Sequence, residues 1–442
     1  MRKLFIVLGV LLVGAIGINT LIQAEQQVVM ALTILWIAAV LWLSEIIHVT
    51  ATALLIPVLA ALLGLASVQE SLTSFAHPII YIFLGGYGLA AAMHVQKLDL
   101  YLAHKILLFT QGQLQRAVIL LCLAASLLSM WISNMATTAL MLPLILGLID
   151  QKPGLSRASK ITCLLGIAYS ANVGGIATLV GSAPNGITAG ALGMGFADWL
   201  AVGGPSFLLL WPLMMLVLWR LLRPQFGDAS VKLESFQFDW NTPRRLLVAI
   251  FLFTVFGWVF SKPLSGWLDI ARFDTWVALT TLVLLMFTQV VSWKQIQTHT
   301  DWGVLLLFGG GLALGSILKS SGASVYLGTV LSQFVAGQAT LVVILVLVCF
   351  VVFLTELTSN TATTALLVPI FITLPVELLS NQQAALAVGI TASCAFMLPV
   401  ATPPNALVHG TGLIPGNTMI RVGLVLNLMC ITVITSLLYL FF

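Results

Sequence analysis

The chain has 442 residues, of which 60% are hydrophobic and only 7% charged, and its formal net charge is +4. Soluble domains carry about 25% charged residues, so this composition excludes a soluble globular protein. The basic residues form no patch with interleaved aromatic side chains, so nothing indicates a nucleic-acid partner. The composition predicts a multi-pass protein of the cell (inner) membrane, with the lipid bilayer as its surroundings.

Apolar segments long enough to cross a bilayer follow one another along the chain. The first begins after Arg2 and Lys3 and is longer than the apolar region of a cleaved signal peptide, so a retained helix is predicted. Transmembrane segments are predicted at 4–23, 28–47, 50–66, 78–95, 161–190, 199–222, 245–262, 274–292, 302–319, 384–414 and 419–441.

Two further apolar regions, 117–149 and 341–379, are interrupted by polar residues. The first is broken at Ser133-Asn134 and the second between Thr355 and Thr364. Each limb has only about 11 to 15 residues, too few to cross a hydrocarbon core about 30 Å thick. Both regions are therefore predicted to be re-entrant hairpins. Non-helical backbone at membrane depth is stable only inside protein or beside a wet cavity, so the two breaks indicate a binding site.

The distribution of basic residues predicts the orientation of these segments. With a cytoplasmic N-terminus, 15 of the 18 Lys and Arg residues fall on the cytoplasmic side. The other three, Lys262, Arg272 and Lys319, fall outside. This asymmetry follows the positive-inside rule, although the segments were not chosen from the charges.

Sequence motifs repeat in the two halves of the chain. The heptapeptide Ser-Asn-Met-Ala-Thr-Thr-Ala that begins at Ser133 recurs at Ser359 with Thr in place of Met. A Ser-Ala-Pro-Asn sequence ending at Asn185 corresponds to Thr-Pro-Pro-Asn ending at Asn405. The two hairpins enter from opposite sides in this topology, as in inverted-repeat carriers. The predicted parts are N-terminal helices 1–77, a first repeat 78–222, a cytoplasmic linker 223–244 and a second repeat 245–442.

The predicted fold is therefore an all-α polytopic membrane protein with an inverted-topology repeat, about 11 transmembrane helices and two re-entrant hairpins. Helices that begin at the Ser-Asn tips would direct their positive ends toward an anion. No Lys or Arg lies in either tip or in either Pro-Asn loop. Bound sodium ions are then the remaining source of positive charge for an anionic substrate.

Other interpretations of these residues remain open. Ser, Thr and Gly also serve to pack helices closely in membranes. Glu45 and Glu356 could relay protons, hydrogen-bond the backbone of broken helices or pair at a helix end. The five cysteines have no paired spacing and are interpreted as small buried apolar residues.

The chain resembles the divalent anion–sodium symporter family over nearly its whole length. The resemblance is carried by the two Ser-Asn motifs, by Trp131-Ile132 before the first and Thr355-Glu356 before the second, and by the second Pro-Asn loop, 401–405. It implies a homodimer in which a transport domain moves like an elevator against a scaffold domain. Helices 1–77 precede the repeats and lack site motifs, so they are expected to belong to the scaffold and to form the dimer interface. It implies that a small carboxylate anion contacts Ser133, Asn134, Met135, Ser359, Asn360, Thr361 and Pro404. It implies sodium sites near Ser129, Ser133, Asn134, Gly181 and Ser182, and near Thr355, Thr358, Asn360 and Thr402.

Met135 departs from the family, which usually has Thr at this position. A thioether cannot donate a hydrogen bond to a substrate carboxylate, so the substrate range is affected more than the fold. A C4-dicarboxylate such as succinate, malate or fumarate, or a tricarboxylate such as citrate, is expected. The alternatives are a sodium-independent carboxylate exchanger, a sulfate carrier of the same fold and a channel. No enzyme is expected, since no span carries a metal-ligand run and no Ser/His/Asp set clusters.

Overall fold

A computed structural model describes residues 2–110, 112–227, 238–335, 337–374 and 379–441, with side chains from residue 4 onward. Residues 228–237 of the predicted linker, with Lys232, and residues 375–378 of the second predicted hairpin lie outside the described residues. The described chain is all-helical, as predicted, with 22 α-helices.

The first half of the chain contains eleven of these helices. They are α1 Arg2–Leu21, α2 Gln26–Ser44, α3 Val49–Leu62, α4 Val68–Thr73, α5 Pro78–Val95, α6 Leu98–Leu108, α7 Leu114–Ser129, α8 Asn134–Asp150, α9 Arg157–Ile176, α10 Ala183–Leu192 and α11 Phe196–Leu222. The second half contains α12 Thr242–Val259, α13 Ser261–Leu268, α14 Phe273–Phe287, α15 Trp293–His299, α16 Trp302–Ser320, α17 Ala323–Val335, α18 Thr340–Thr355, α19 Asn360–Phe371, α20 Asn381–Thr391, α21 Pro403–His409 and α22 Gly416–Phe441.

Within the described residues, seven helices are long and apolar enough to cross a membrane, and two bent helix pairs raise the number to nine. One bent pair is α13 and α14, which meet at 93°. Every predicted span contains a helix, but several are shorter than expected. The predicted span 50–66 holds α3, which has only 14 residues. The spans 161–190 and 384–414 are each broken in the middle, between α9 and α10 and between α20 and α21.

The two predicted hairpins are pairs of short apolar helices, as their limb lengths indicated. α7 and α8 have 16 and 17 residues and are separated by the break 130–133. α18 and α19 have 16 and 12 residues and are separated by the break 356–359. In both pairs the serine of the Ser-Asn motif is the N-cap of the second helix. Ser133 Oγ accepts a hydrogen bond from Ala136 N and Ser359 Oγ from Ala362 N, which stabilises the new helix start.

The order of elements repeats between the halves. Helices α5 to α11 correspond one by one to α16 to α22: a long helix, a shorter helix, a hairpin pair, a broken helix and a final long helix. Packing between the halves is reciprocal, because α8 contacts α21 while α19 contacts α10. Each hairpin therefore lies against a broken helix of the other half. These contacts between the halves bring both Ser-Asn tips and both Pro-Asn loops close to one another.

Candidate substrate and cation site

One cavity of about 520 Å³ lies where the two tips and the two loops meet. All seven residues predicted to contact substrate line it, namely Ser133, Asn134, Met135, Ser359, Asn360, Thr361 and Pro404. Four further residues of the predicted sodium sites also line it, namely Gly181, Ser182, Thr358 and Thr402. Ser129 and Thr355 are fully buried and lie outside this lining. The structure thus brings together residues that are more than 200 positions apart in the sequence.

Four helices begin at the wall of this cavity. They are α8, α10, α19 and α21, whose N-terminal residues are among the lining residues. Each helix N-terminus carries roughly half a positive charge and exposes backbone N–H groups, so the cavity favours an anion. The hydroxyl oxygens of Ser133 and Ser359 accept bonds from their own helices. Their hydroxyl protons can therefore be donated to a carboxylate in the cavity.

Among the described lining residues there is no Lys or Arg, whereas two carboxylates, Glu45 and Asp301, are present. Glu45 is exposed at the end of α2. Asp301 caps α16, where its Oδ1 accepts a hydrogen bond of 3.2 Å from Val304 N. The side-chain charge of the cavity wall is therefore negative. Helix N-termini are the positive element that the protein itself supplies to this space.

The first-half tip and loop form a compact cluster of oxygen atoms. Ser129 Oγ donates a hydrogen bond of 2.6 Å to Asn134 Oδ1. A Cβ atom added to Gly175 would lie 2.5 Å from Asn134 Oδ1 and 3.0 Å from the carbonyl oxygen of Gly181. Amide, hydroxyl and carbonyl oxygens of this kind suit a hard monovalent cation. Gly175 therefore lies against this oxygen cluster, although it was not among the predicted site residues. The sequence feature that could have indicated it is the Gly-Gly pair ahead of the first Pro-Asn loop.

The second-half cluster is built differently. Thr355 Oγ1 donates to the carbonyl oxygens of Val351 and Val352, at 3.0 Å each, rather than to Asn360. Asn360 Oδ1 is buried and has no hydrogen-bond partner among the described residues. An unpartnered buried amide oxygen is costly, and a cation would satisfy it. The sodium role of Thr355 stays a prediction, since the structure does not bring its hydroxyl to the Asn360 side chain.

Each Pro-Asn loop is shaped by its asparagine in the same way. Asn185 Nδ2 donates to the carbonyl oxygens of Gly175 and Thr178, at 2.8 and 2.7 Å. Asn405 Nδ2 donates to those ten and seven residues before it, Ala395 and Leu398, at 3.1 Å each. Both asparagines are completely buried. Their amide groups provide hydrogen-bond partners for backbone carbonyl groups of the broken helices, as every buried backbone group in a membrane requires.

Glu356 holds the second broken helix from the other side. Its carboxylate is 3% exposed and accepts hydrogen bonds from the backbone N–H groups of residues 396, 397 and 398, at 2.7 to 2.9 Å. Asn427 Nδ2 donates a further bond of 2.7 Å. Among the roles considered for this acid, the structure shows hydrogen bonding: the buried Glu356 carboxylate accepts bonds from backbone N–H groups where the helix is broken.

Met135 lies in the cavity wall and is 54% exposed. Its counterpart in the second half, Thr361, occupies the equivalent place after Asn360. The two Ser-Asn tips therefore differ: one contributes a threonine and the other a thioether to the cavity lining. The departure noted in the sequence lies inside the site.

A family model described as citrate transporter matches residues 39–377 and 274–442. The chain belongs to the citrate transporter family. It is 46% identical over 430 residues to an uncharacterized transporter of Haemophilus influenzae, covering 94% of this chain and 92% of that protein. It is 33% identical over 453 residues to the sodium-dependent dicarboxylate transporter SdcS of Staphylococcus saprophyticus, covering 93% of this chain and 85% of that protein.

Solved transporters share the fold of this family member. The YdaH transporter of Alcanivorax borkumensis, described as having an unusual topology, matches with a TM-score of 0.61 and 15% identity, covering 93% of this chain and 96% of that one. MtrF of Neisseria gonorrhoeae matches with a TM-score of 0.60 and 14% identity, covering 87% and 84%. The resemblance drawn from the motifs is thus confirmed. This citrate transporter family member is a multi-pass secondary transporter and not an enzyme.

Proposed function

We propose that this transporter carries a small di- or tricarboxylate, a C4-dicarboxylate such as succinate, malate or fumarate above all, together with sodium ions. The observation that carries the proposal is the cavity at which four helices begin and whose described lining contains no Lys or Arg. Helix N-termini and the free hydroxyl protons of Ser133 and Ser359 would bind the carboxylate groups.

The electrostatics of the cavity supports coupling to a cation. A dicarboxylate brings two negative charges to a wall that already contains Glu45 and Asp301. Half a positive charge from each helix N-terminus offsets only part of this total. Sodium ions held by the oxygen clusters at Asn134 and Asn360 would supply the rest. SdcS proteins, named as sodium-dependent dicarboxylate transporters, are 30 to 33% identical to this chain, which agrees with this assignment.

The mechanical part of the proposal is an elevator-type motion. The hairpins and broken helices would move together with the substrate against a scaffold that includes residues 1–77. That segment would also form the interface of a homodimer. The N-terminus is placed in the cytoplasm by the distribution of Lys and Arg.

Uptake of labelled succinate into proteoliposomes tests the coupling. An inward sodium gradient should raise the initial rate above that in equal sodium or in potassium alone, because the empty cation sites leave the substrate charge uncompensated. Liposomes without protein give the background. Equal uptake with and without the gradient would reject sodium symport, and succinate counterflow at zero sodium would identify an exchanger instead. Uptake of labelled sulfate, with no uptake of any carboxylate, would identify a sulfate carrier.

A further inference from the structure

Asn172 lies in α9 and lines the substrate cavity, although it is only 1% exposed. It precedes the first Pro-Asn loop, and neither the sequence motifs nor the proposed function gives it a role. Its hydrogen bonds determine which end of its amide is available to a bound molecule.

The orientation of Asn172 follows from that of Asn405. Asn405 Nδ2 donates to two carbonyl oxygens, those of Ala395 and Leu398. Carbonyl oxygens only accept hydrogen bonds, so the amide of Asn405 cannot be reversed. Its Oδ1 is therefore the atom that faces Asn172, at 3.4 Å from Asn172 Nδ2.

Asn172 must accordingly direct its NH2 group toward Asn405 and Thr402. Nδ2 donates to Asn405 Oδ1 and, at 3.1 Å, to Thr402 Oγ1. These two bonds use both amide protons. Asn172 Oδ1 accepts no hydrogen bond within the described residues. This oxygen is nevertheless not completely buried. Since the residue lines the cavity, Oδ1 is the polar atom through which it can meet a substrate.

We propose that Asn172 Oδ1 accepts a hydrogen bond from a hydroxyl group on the substrate, so that the site prefers 2-hydroxy di- or tricarboxylates over the acids that lack the hydroxyl. The inference rests on the proposed function, because the substrate must be a carboxylate. Carboxylate groups only accept hydrogen bonds and would be bound by the donors at the helix starts. A hydroxyl proton needs an acceptor, and a fixed amide oxygen provides one without adding negative charge.

Malate and succinate, which differ by one hydroxyl, test this directly. Half-saturation concentrations for uptake are measured in proteoliposomes at saturating sodium. The unsubstituted protein should take up malate with a value about three- to tenfold lower than succinate, as expected for one neutral hydrogen bond. Asn172→Ala should bring the two values together by weakening malate alone.

Ser170→Ala is the matched control. Ser170 is buried on the same helix, accepts a hydrogen bond of 3.1 Å from Trp211 Nε1 and does not line the cavity. This variant should keep the malate preference. The ratio of two substrates within one variant does not depend on how much of the protein folds, so a drop in maximal rate leaves the comparison intact.

Equal half-saturation for malate and succinate in the unsubstituted protein would overturn the inference while leaving carboxylate transport standing. Survival of the preference in Asn172→Ala would overturn it as well. If that variant does not fold, a second pair of substrates is compared in the unsubstituted protein. The half-saturation concentration for citrate should be lower than that for its deoxy analogue tricarballylate by a similar factor, and equal values would overturn the inference. Uptake of none of these acids would remove the proposed function and this inference together.

Discussion

At the scale of single residues, Met135 is the position at which the first Ser-Asn motif departs from the second. The cavity lining contains Thr361 from one tip and a thioether from the other. Met135→Thr adds a hydroxyl donor, and a hydrogen bond to a charged group contributes about 1.5–3 kcal/mol. We expect the half-saturation concentration for succinate to fall about tenfold or more. Initial-rate uptake at saturating sodium measures it.

The reciprocal substitution provides the comparison for this prediction. Thr361→Met should weaken succinate binding, because it removes the hydroxyl that the second tip contributes to the cavity lining. Unchanged succinate affinity in Met135→Thr would place position 135 outside the contact surface of the substrate. In that case the exposure of Met135 would concern the entrance of the cavity only.

At the scale of elements, the first broken helix depends on close approach between α9 and the first tip. Gly175→Ala would place a Cβ 2.5 Å from Asn134 Oδ1, so the amide or the loop must move. Overpacking of this kind costs about 1–3 kcal/mol. We expect the half-saturation concentration of sodium to rise about tenfold, with a smaller effect on substrate affinity once sodium is saturating.

Gly147 offers a matched control for this substitution. It lies within α8, and nothing would lie within 4 Å of a Cβ at that position. Gly147→Ala should leave sodium dependence unchanged, because it adds the same methyl group to a helix without a collision. Sodium dependence that is equal in the two variants would show that the oxygen cluster at Asn134 does not bind the transported cation.

At the scale of the whole molecule, the membrane orientation of the chain remains a prediction from its charges. Gly154 follows α8 on the side predicted to be cytoplasmic, and Gly266 lies in α13 on the side predicted to be outside. Both positions are open, with nothing within 4 Å of an added Cβ. In intact cells an impermeant maleimide should label Gly266→Cys, and it should label Gly154→Cys only after permeabilisation. The reverse pattern would invert the topology.

Labelling in the unsubstituted chain controls for the natural cysteines. Four of the five, including Cys122 and Cys430, are buried, and Cys349 is partly buried. Little reaction is therefore expected without an engineered thiol. Strong labelling of the unsubstituted chain in intact cells would require Cys349→Ala before the two glycine positions could be compared.

The family resemblance predicted the seven residues that line the cavity. The sequence by itself determined the membrane class, the helical spans and the two interrupted apolar regions. These features are local, because the length of an apolar run and the placement of Ser, Asn, Gly and Pro within it decide where a helix in lipid can continue. The repeated motifs also predicted that the two halves of the chain are structural repeats of each other.

Only the tertiary structure decided how the site is oriented. The contact of Asn172 with Thr402 spans 230 positions, and the bond from Asn427 to Glu356 spans 71. The roles of Gly175 and Asn172 could not be read from local pattern for the same reason. Their hydrogen-bond partners are selected by which helices pack together, and that choice is made by the folded chain as a whole.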